Sequence, residues 1–297
     1  MIEDEEDNMR SEAQMMDLIL SFAKNDPRVR VVGMEGSRTN VNVPKDEFQD
    51  YDITYVVTDM ESFKKDDKWL DYFGKRIIMQ KPEAMSLFPP ELGNWFSYLM
   101  LFEDGNRIDL TLVPIDELEQ YISSDKLLMI LLDKDKRIQE PIIPTDEDYH
   151  VKKPSPEFFD DCCNEFWWVS TYVSKGLFRK EILFAIEHLN MYVRPNLLRM
   201  MAWKVGIETD FSISVGKSYK YMDKYLSQDV WKRLLSTYRN SSYEEIWDAL
   251  FECHSLFRET SKFVANKLGY RYPDYDDKVI RYIRKLYQSK AEKRPGS

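Results

Sequence analysis

Two aspartates, Asp50 and Asp52, stand one residue apart at the head of an apolar run, DITYVV. Because side chains of a β-strand alternate between its two faces, both carboxylates would project from the same face. Two carboxylates a few ångströms apart repel each other unless a cation lies between them. Mg²⁺ commonly takes one or two carboxylates together with phosphate oxygens. The pair therefore predicts a magnesium site, and the alternative is a solvated entrance to a strand.

A third carboxylate, Asp109, lies in the segment RIDLTLVP, where apolar and polar residues alternate. The apolar residues of this segment would face a core and leave Asp109 on the opposite face. If this strand neighbours the strand that begins after Asp50, three carboxylates converge on one surface. The alternative for Asp109 is a polar residue on a half-solvated strand.

A Gly-Ser pair in the segment EGSR follows a predicted strand and places Gly36 and Ser37 on a tight turn. Backbone N–H groups and a hydroxyl on such a turn can hold phosphate oxygens, and Arg38 completes the predicted nucleotide-binding segment. Gly-Ser is also an ordinary turn dipeptide. Charge neutralisation by a metal ion and a positioned phosphate are the parts that metal-assisted phosphoryl transfer needs, and the turn and the carboxylates are candidates for both.

The composition restricts the classes of protein and partner. The chain has 297 residues, 43% of them hydrophobic and 14% aromatic, which predicts a well-packed globular protein of two domains. The formal net charge of −10 disfavours a nucleic-acid partner and favours a small cationic substrate. The N-terminus is acidic, no apolar run is long enough to span a bilayer, and the three cysteines lack C-x-x-C spacing. These features indicate a soluble, cytoplasmic protein. We expect no association with a membrane and no obligate protein partner.

The elements that must position these residues fall into two parts, and we predict an α+β fold. The first part, residues 1–144, would form a sheet with flanking helices; the second, residues 145–288, would be all-helical, and residues 289–297 a disordered tail. In the first part, helices are predicted over 11–24 and 60–72, and strands over 28–34, 51–58, 76–80 and a hairpin ending in RIDLTLV. In the second, helices are predicted over 156–175, 179–191, 196–206, 217–225, 243–268 and 275–287.

The order of the Gly-Ser turn, the D-x-D pair and a later strand aspartate resembles the nucleotidyltransferase superfamily typified by DNA polymerase β. Longer segments such as GSRTN, FQDYDI, EAMSLFPPELGN, SYLMLFEDGNRIDL and DDCCNEFWWVSTYVSKGL resemble the aminoglycoside 6-adenylyltransferases, roughly from Arg10 to Tyr287. This resemblance implies Mg²⁺-dependent transfer of AMP from ATP to the 6-hydroxyl of streptomycin, with release of pyrophosphate. It implies a nucleotidyltransferase domain with a mixed sheet, followed by a substrate-binding helical domain.

Carried over residue by residue, the resemblance makes Ser37 a phosphate contact and makes Asp50, Asp52 and Asp109 the metal ligands. A glutamate in the loop after the strand over 76–80 would act as general base, as related enzymes place one similarly. Glu83 is the first candidate and Glu91 its competitor.

Streptomycin carries two guanidinium groups and an amine, so its pocket should be acidic and should offer flat surfaces for stacking. The first helix of the second part places four such residues within about 60° of one another. These are Asp161, Glu165, Trp168 and Tyr172, whereas Phe166, Val169 and Val173 would face the core. The alternative for this face is a solvated surface or a domain interface.

Two lysines are candidates for binding the triphosphate. Lys217 would begin a helix after the segment SVG, where its charge and the helix N-terminus reinforce each other, and Lys175 is the second choice. Two other functions stay open: transfer to an RNA or protein acceptor, and a non-catalytic nucleotide-binding module.

Overall fold

A computed structural model of the chain describes residues 9–292, and the fold consists of two compact units that divide between Asp148 and Tyr149. Residues 293–297, which belong to the predicted tail, lie outside the described residues; the last helix, Asp276–Glu292, includes the start of that tail. Within residues 9–292 no helix has both the length and the apolar character that crossing a bilayer requires.

The N-terminal unit is built around a six-stranded sheet with helix α1 (Glu12–Asn25) packed on it. Ser11 caps α1 in a reciprocal capping box with Gln14, as the spacing of these residues predicts. The strands are β1 (Val29–Glu35), β2 (Tyr51–Val57), β3 (Arg76–Gln80), β4 (Phe96–Phe102), β5 (Arg107–Pro114) and β6 (Met129–Asp133). Their order is β3-β4-β5-β2-β1-β6, with β2 and β5 parallel and the other pairs antiparallel, so the sheet is mixed.

The two faces of the sheet have different cores. On one face, alternate residues of β2 such as Ile53 and Tyr55 pack with Met15 and Ile19 of α1 in one buried cluster, as predicted. The Tyr55 hydroxyl also donates a hydrogen bond of 2.7 Å to the Ile19 carbonyl. On the other face, a smaller cluster is covered by the helix Leu118–Ser124 and lies towards the ends of β2 and β5. That face carries the aspartates where these two strands begin.

Several elements of the N-terminal unit differ from the prediction. The predicted helix over 60–72 is divided into α2 (Met60–Lys64) and a 3₁₀ segment, Asp67–Phe73, because Asp66 accepts the Lys68 N–H and starts a new turn. The helix Leu118–Ser124, here α3, and strand β6 were not predicted. Strand β6 pairs with β1 in the sheet, and periodicity alone does not distinguish its short, continuous apolar run from a buried helical segment.

The C-terminal unit is helical in its described residues. Its helices are α4 (Pro156–Phe178), α5 (Ile182–His188), α6 (Arg194–Glu208), α7 (Gln228–Ser236), α8 (Tyr243–Leu268) and α9 (Asp276–Glu292). A π-helical turn, Leu189–Val193, joins α5 to α6, so the predicted helices over 179–191 and 196–206 form one continuous helical path. Helix α7 was not predicted. The helix predicted over 217–225 is wrong: two 3₁₀ turns occupy the segment, with Ser218 and Tyr219 in the left-handed region.

Candidate active site

The turn after β1 lies directly against Asp52. Gly36 has φ +76°, and a Cβ at this position would lie 2.2 Å from Asp52 Oδ2, so only glycine allows this approach. The next residues form a 3₁₀ turn, Gly36–Arg38, and Thr39 Oγ1 ties that turn down by donating 2.9 Å to the Gly36 carbonyl. The structure therefore brings the Gly-Ser turn and the D-x-D pair together.

Arg38 fixes the loop that leads into β2. Its guanidinium donates to the carbonyls of Asp50 at 3.1 Å and Gln49 at 2.7 Å, and it lies 3.7 Å from the centre of the Tyr51 ring. Gln49 in turn donates 3.2 Å to the Ser37 carbonyl. The Arg38 side chain is thus used to hold the turn and the loop together.

Three carboxylates, Asp50, Asp52 and Asp109, lie at the start of the parallel strands β2 and β5; we call them the acidic cluster. Asp52 and Asp109 are direct partners in the β2–β5 register, so their side chains leave the same face of the sheet. Asp50 stands one residue before β2. Arg107 joins two of the three: its Nε and Nη2 donate 2.8 Å each to Asp109, and its Nη1 lies 3.6 Å from Asp50 Oδ2.

The donor set of the acidic cluster is made of hard carboxylate oxygens, which suits Mg²⁺ and does not suit a soft thiolate-binding metal. As the side chains stand, however, no group of three or more His, Cys, Asp or Glu within residues 9–289 is arranged to hold a metal ion. Arg107 supplies the neutralising positive charge in this arrangement, and both oxygens of Asp109 are engaged by it. The carboxylates of the acidic cluster therefore suit Mg²⁺ chemically, while in this conformation Asp109 and Asp50 are paired with Arg107.

Glu35, which the sequence analysis missed, is the direct partner of Asp52 in the β1–β2 register. Its carboxyl group accepts hydrogen bonds from the hydroxyls of Tyr121 and, at 3.4 Å, Thr54. Burial is the main cause that raises the pKa of Glu35 to about 7, and the nearby Asp52 raises it further. Gly33 makes this network possible, because a Cβ there would lie 1.8 Å from the Tyr121 hydroxyl. A glycine two residues before Glu35, on the same face of a strand, was the available signal.

Glu83 lies in a short 3₁₀ turn after β3 and is held at the beginning of β4. Its Oε2 accepts the Ser97 N–H at 2.9 Å, and the Ser97 hydroxyl lies 3.1 Å from that of Thr111. Thr111 follows Asp109 by two residues and therefore shares its face of β5. Glu91, the competitor, is exposed in the loop before β4.

The predicted acidic and aromatic face of α4 is on the surface of the C-terminal unit. Trp168 is 59% exposed, and its Nε1 donates 3.0 Å to the Tyr172 hydroxyl. Asp161 and Glu165 are exposed on the same helix. The residues predicted to face the core, Phe166, Val169 and Val173, are buried as expected.

The neighbouring helix α5 and the π-helical turn extend this aromatic face with residues that the sequence analysis missed. The ring centre of His188 lies 5.7 Å from that of Tyr172, 4.0 Å from Phe184 and 5.7 Å from Tyr192. Lys175 Nζ lies 4.7 Å from the Tyr172 ring centre. An aromatic residue every four positions along a helix next to a π-helical turn was a weak signal for this surface.

Lys217 does not start a helix. It begins a three-residue 3₁₀ turn after Gly216, which has φ +75°. No helix N-terminus therefore reinforces the charge of Lys217 for binding a triphosphate.

Known proteins similar to this chain cover nearly its whole length. The family model for streptomycin adenylyltransferase matches residues 9–286. An aminoglycoside 6-adenylyltransferase from Bacillus subtilis (strain 168) is 59% identical over 95% of the chain and 99% of the relative. One from Campylobacter jejuni is 56% identical over 93% and 95%. A crystal structure of an aminoglycoside 6-adenyltransferase from Bacillus subtilis has 54% identity, covers 94% of this chain and 99% of that one, and has a TM-score of 0.47.

Proposed function

This chain belongs to the streptomycin adenylyltransferase family, and we propose that it transfers AMP from ATP to the 6-hydroxyl of streptomycin, releasing pyrophosphate and inactivating the antibiotic. Family membership confirms the resemblance seen in the sequence and the enzyme class, a nucleotidyltransferase that uses ATP. The geometric observation that supports the proposal most strongly is that Asp52 and Asp109 are opposite each other in the β2–β5 register, with the Gly36 turn in contact with Asp52.

In this proposal Asp50, Asp52 and Asp109 hold Mg²⁺. The ion would offset the negative charge of the phosphates during transfer. We assign contacts with phosphate oxygens to the Gly36 backbone and the Ser37 hydroxyl, and the close approach of Gly36 to Asp52 supports this assignment. Arg38 contributes by holding this turn against the loop before β2, and its guanidinium contacts with that loop support this role.

During transfer, the 6-hydroxyl oxygen of streptomycin forms a bond to the α-phosphorus of ATP as the bond from that phosphorus to pyrophosphate breaks. The hydroxyl proton must go to a base, and we assign this role to Glu83. Its attachment to Ser97, beside the β5 residue Thr111, supports the assignment. Glu91 is the residue to test if a Glu83 variant keeps its activity.

For recognition of the acceptor, Asp161 and Glu165 pair with guanidinium groups while Trp168 and Tyr172 offer flat surfaces for stacking. The exposure of Asp161, Glu165 and Trp168 on α4 supports this role, since a surface must be open to receive a ligand; Tyr172 beside them is half-buried. Lys175 and Lys217 stay proposals for contacts with the triphosphate.

The test is pyrophosphate release by the purified full chain with ATP, Mg²⁺ and one acceptor at a time. The acceptors are streptomycin, spectinomycin, kanamycin and tRNA. Release with streptomycin alone is the expected result. Release with tRNA would replace the antibiotic by a nucleic-acid acceptor, and no release with any acceptor would favour a nucleotide-binding module without catalysis.

A further inference from the structure

We propose that Arg107 is an internal counter-ion of the acidic cluster and competes with the divalent cation for the carboxylates of Asp50 and Asp109. Arg107 is then a positioning residue, which keeps the cluster assembled before the cation and nucleotide bind. This inference rests on the proposed function, because it assumes that the acidic cluster is the Mg²⁺ site for AMP transfer.

The contacts of Arg107 reach both strands of the cluster. Its guanidinium makes a fork to the two oxygens of Asp109 at 2.8 Å each, while its remaining nitrogen lies 3.6 Å from Asp50 Oδ2. The fork is the strongest geometry for an arginine–carboxylate pair. Each oxygen of Asp109 keeps a second lone pair, so a cation can still approach it, but the positive charge of the guanidinium and the acceptor sites that the fork occupies weaken cation binding there.

Charge balance explains why a guanidinium belongs at this position. Asp52 and Asp109 are opposite each other on neighbouring strands, and like charges in direct opposition destabilise a sheet. Arg107 is on the same face of β5 as Asp109, two residues earlier, so it can offset that repulsion without help from another element.

The exposure of Arg107 favours exchange over a fixed structural role. The Arg107 side chain is 42% exposed, and those of Asp50 and Asp109 are 37% and 22% exposed. An ion pair in contact with water is weak enough for a divalent cation to displace it.

The test measures binding of Mn²⁺, and of Mg²⁺ as a competitor, to the full chain without nucleotide or antibiotic, by electron paramagnetic resonance of free Mn²⁺. Removing the charge in Arg107→Gln is expected to tighten metal binding by about fivefold, the upper range for a partly exposed ion pair. Arg107→Lys, which keeps the charge but loses the fork, is expected to fall between the two. The matched control is Arg30→Gln, which breaks the forked pair between Arg30 on β1 and Asp135 after β6 and should leave metal binding unchanged.

A second measurement separates competition from a loss of folding. Without metal, Arg107→Gln should unfold at a lower temperature than the natural protein, because the carboxylates repel each other, and added Mg²⁺ should restore most of the difference. In Arg30→Gln, Mg²⁺ should restore nothing beyond its effect on the natural protein.

Equal or weaker metal binding by Arg107→Gln would overturn the inference, and so would no metal binding by either protein. Neither result decides the proposed function, which is measured separately as pyrophosphate release with streptomycin. Conversely, tighter binding by Arg107→Gln would support the counter-ion role even if streptomycin were not the acceptor.

Discussion

The two units of this protein position functional side chains in different ways. In the N-terminal unit, strand register sets the groups: Asp52 faces Asp109, and Glu35 faces Asp52, with no freedom to slip by one residue without reversing the faces. In the C-terminal unit, Trp168 and Tyr172 share a helix face, where Trp168 is exposed and Tyr172 is half-buried. In the function proposed above, the sheet unit carries out the chemical step and the helical unit recognises the acceptor.

The largest expected effect tests the sheet side of this comparison. Asp52→Asn keeps the shape of the side chain and removes a charge that the proposed Mg²⁺ site needs. We expect turnover to fall by about a thousandfold, equivalent to about 4 kcal/mol of transition-state stabilisation. The free energy of unfolding should change by less than about 1 kcal/mol. Pyrophosphate release and urea unfolding measure the two quantities.

Asp135→Asn is the control for Asp52→Asn, because Asp135 pairs with Arg30 on the surface of the same unit. It should retain nearly full turnover. Near-normal turnover by Asp52→Asn would show that the register of β2 and β5 does not place a metal ligand there.

The second-largest loss of turnover is expected when a methyl group is added at Gly36. Gly36→Ala places a Cβ at 2.2 Å from Asp52 Oδ2, so either the turn or the carboxylate must move. We expect turnover to fall by about a hundredfold, since a displacement of about 1 Å at a reacting site commonly has that effect. The strained backbone should lower the free energy of unfolding by about 1 kcal/mol.

Gly269→Ala is a closely matched control for Gly36→Ala. Gly269 has φ +72°, close to the +76° of Gly36, and a Cβ there meets nothing within 4 Å. It should therefore lose similar stability and keep its turnover. Equal turnover in the two variants would mean that the turn does not need its close approach to Asp52.

Sequence patterns predicted the parts of the site that depend on strand alternation. The faces of Asp52 and Asp109 follow from the period of two, and the α+β fold class is confirmed by the mixed sheet and the helical second unit. Glu35 was not found, because its role depends on which strand pairs with β2 and on Tyr121, which is 86 residues away in the chain. Gly33 indicates that another group approaches this face closely, but a single sequence does not tell which distant residue does so.

In the helical unit, the sequence likewise failed to predict a backbone conformation that depends on the surrounding structure. The helix predicted to begin at Lys217 is absent because the backbone of Ser218 and Tyr219 adopts the left-handed region. Neither Ser218 nor Tyr219 favours φ above zero by its own chemistry, so packing of the surrounding segment must fix these angles. The 26-residue helix Tyr243–Leu268, in contrast, has the predicted bounds, because its apolar period is long and Gly269 ends it.

A smaller effect tests the helical side of the comparison. Trp168→Ala should raise the KM for streptomycin by about tenfold with little change in kcat, because loss of a stacking surface weakens substrate and transition state alike. Steady-state kinetics with streptomycin varied at saturating ATP measures both constants. Tyr282→Ala removes an exposed ring from a different helix, α9, and should change neither KM nor kcat. A fall in kcat for Trp168→Ala would mean that this surface also takes part in the chemical step.

The smallest effect on turnover is expected at His254, which is buried in the helical unit among Phe166, Trp167 and Phe251. Neither of its ring nitrogens has a hydrogen-bond partner within the described part of the chain. Burial is the main cause that lowers the pKa of His254 to about 3. The folded protein therefore keeps this ring neutral at pH values where the unfolded chain takes up a proton.

The sign of the pH dependence follows from this difference in pKa. As the pH falls below about 6.5, the unfolded state gains a proton that the folded state does not bind, so stability is lost. Between pH 7.5 and 5, His254 should lower the free energy of unfolding by about 2 kcal/mol. His254→Leu should remove this loss, so the advantage of the variant over the natural protein grows as the pH falls. Urea unfolding at the two pH values measures it.

Phe257→Leu is the control for His254→Leu. Phe257 stacks on Phe166 at 3.7 Å in the same core, and its replacement should lower stability equally at both pH values because no titrating group is removed. Turnover of His254→Leu at pH 7.5 should equal that of the natural protein. A change in turnover would mean that the interior of the helical unit acts on the chemical step, and the assignment of chemistry to strand register alone would then fail.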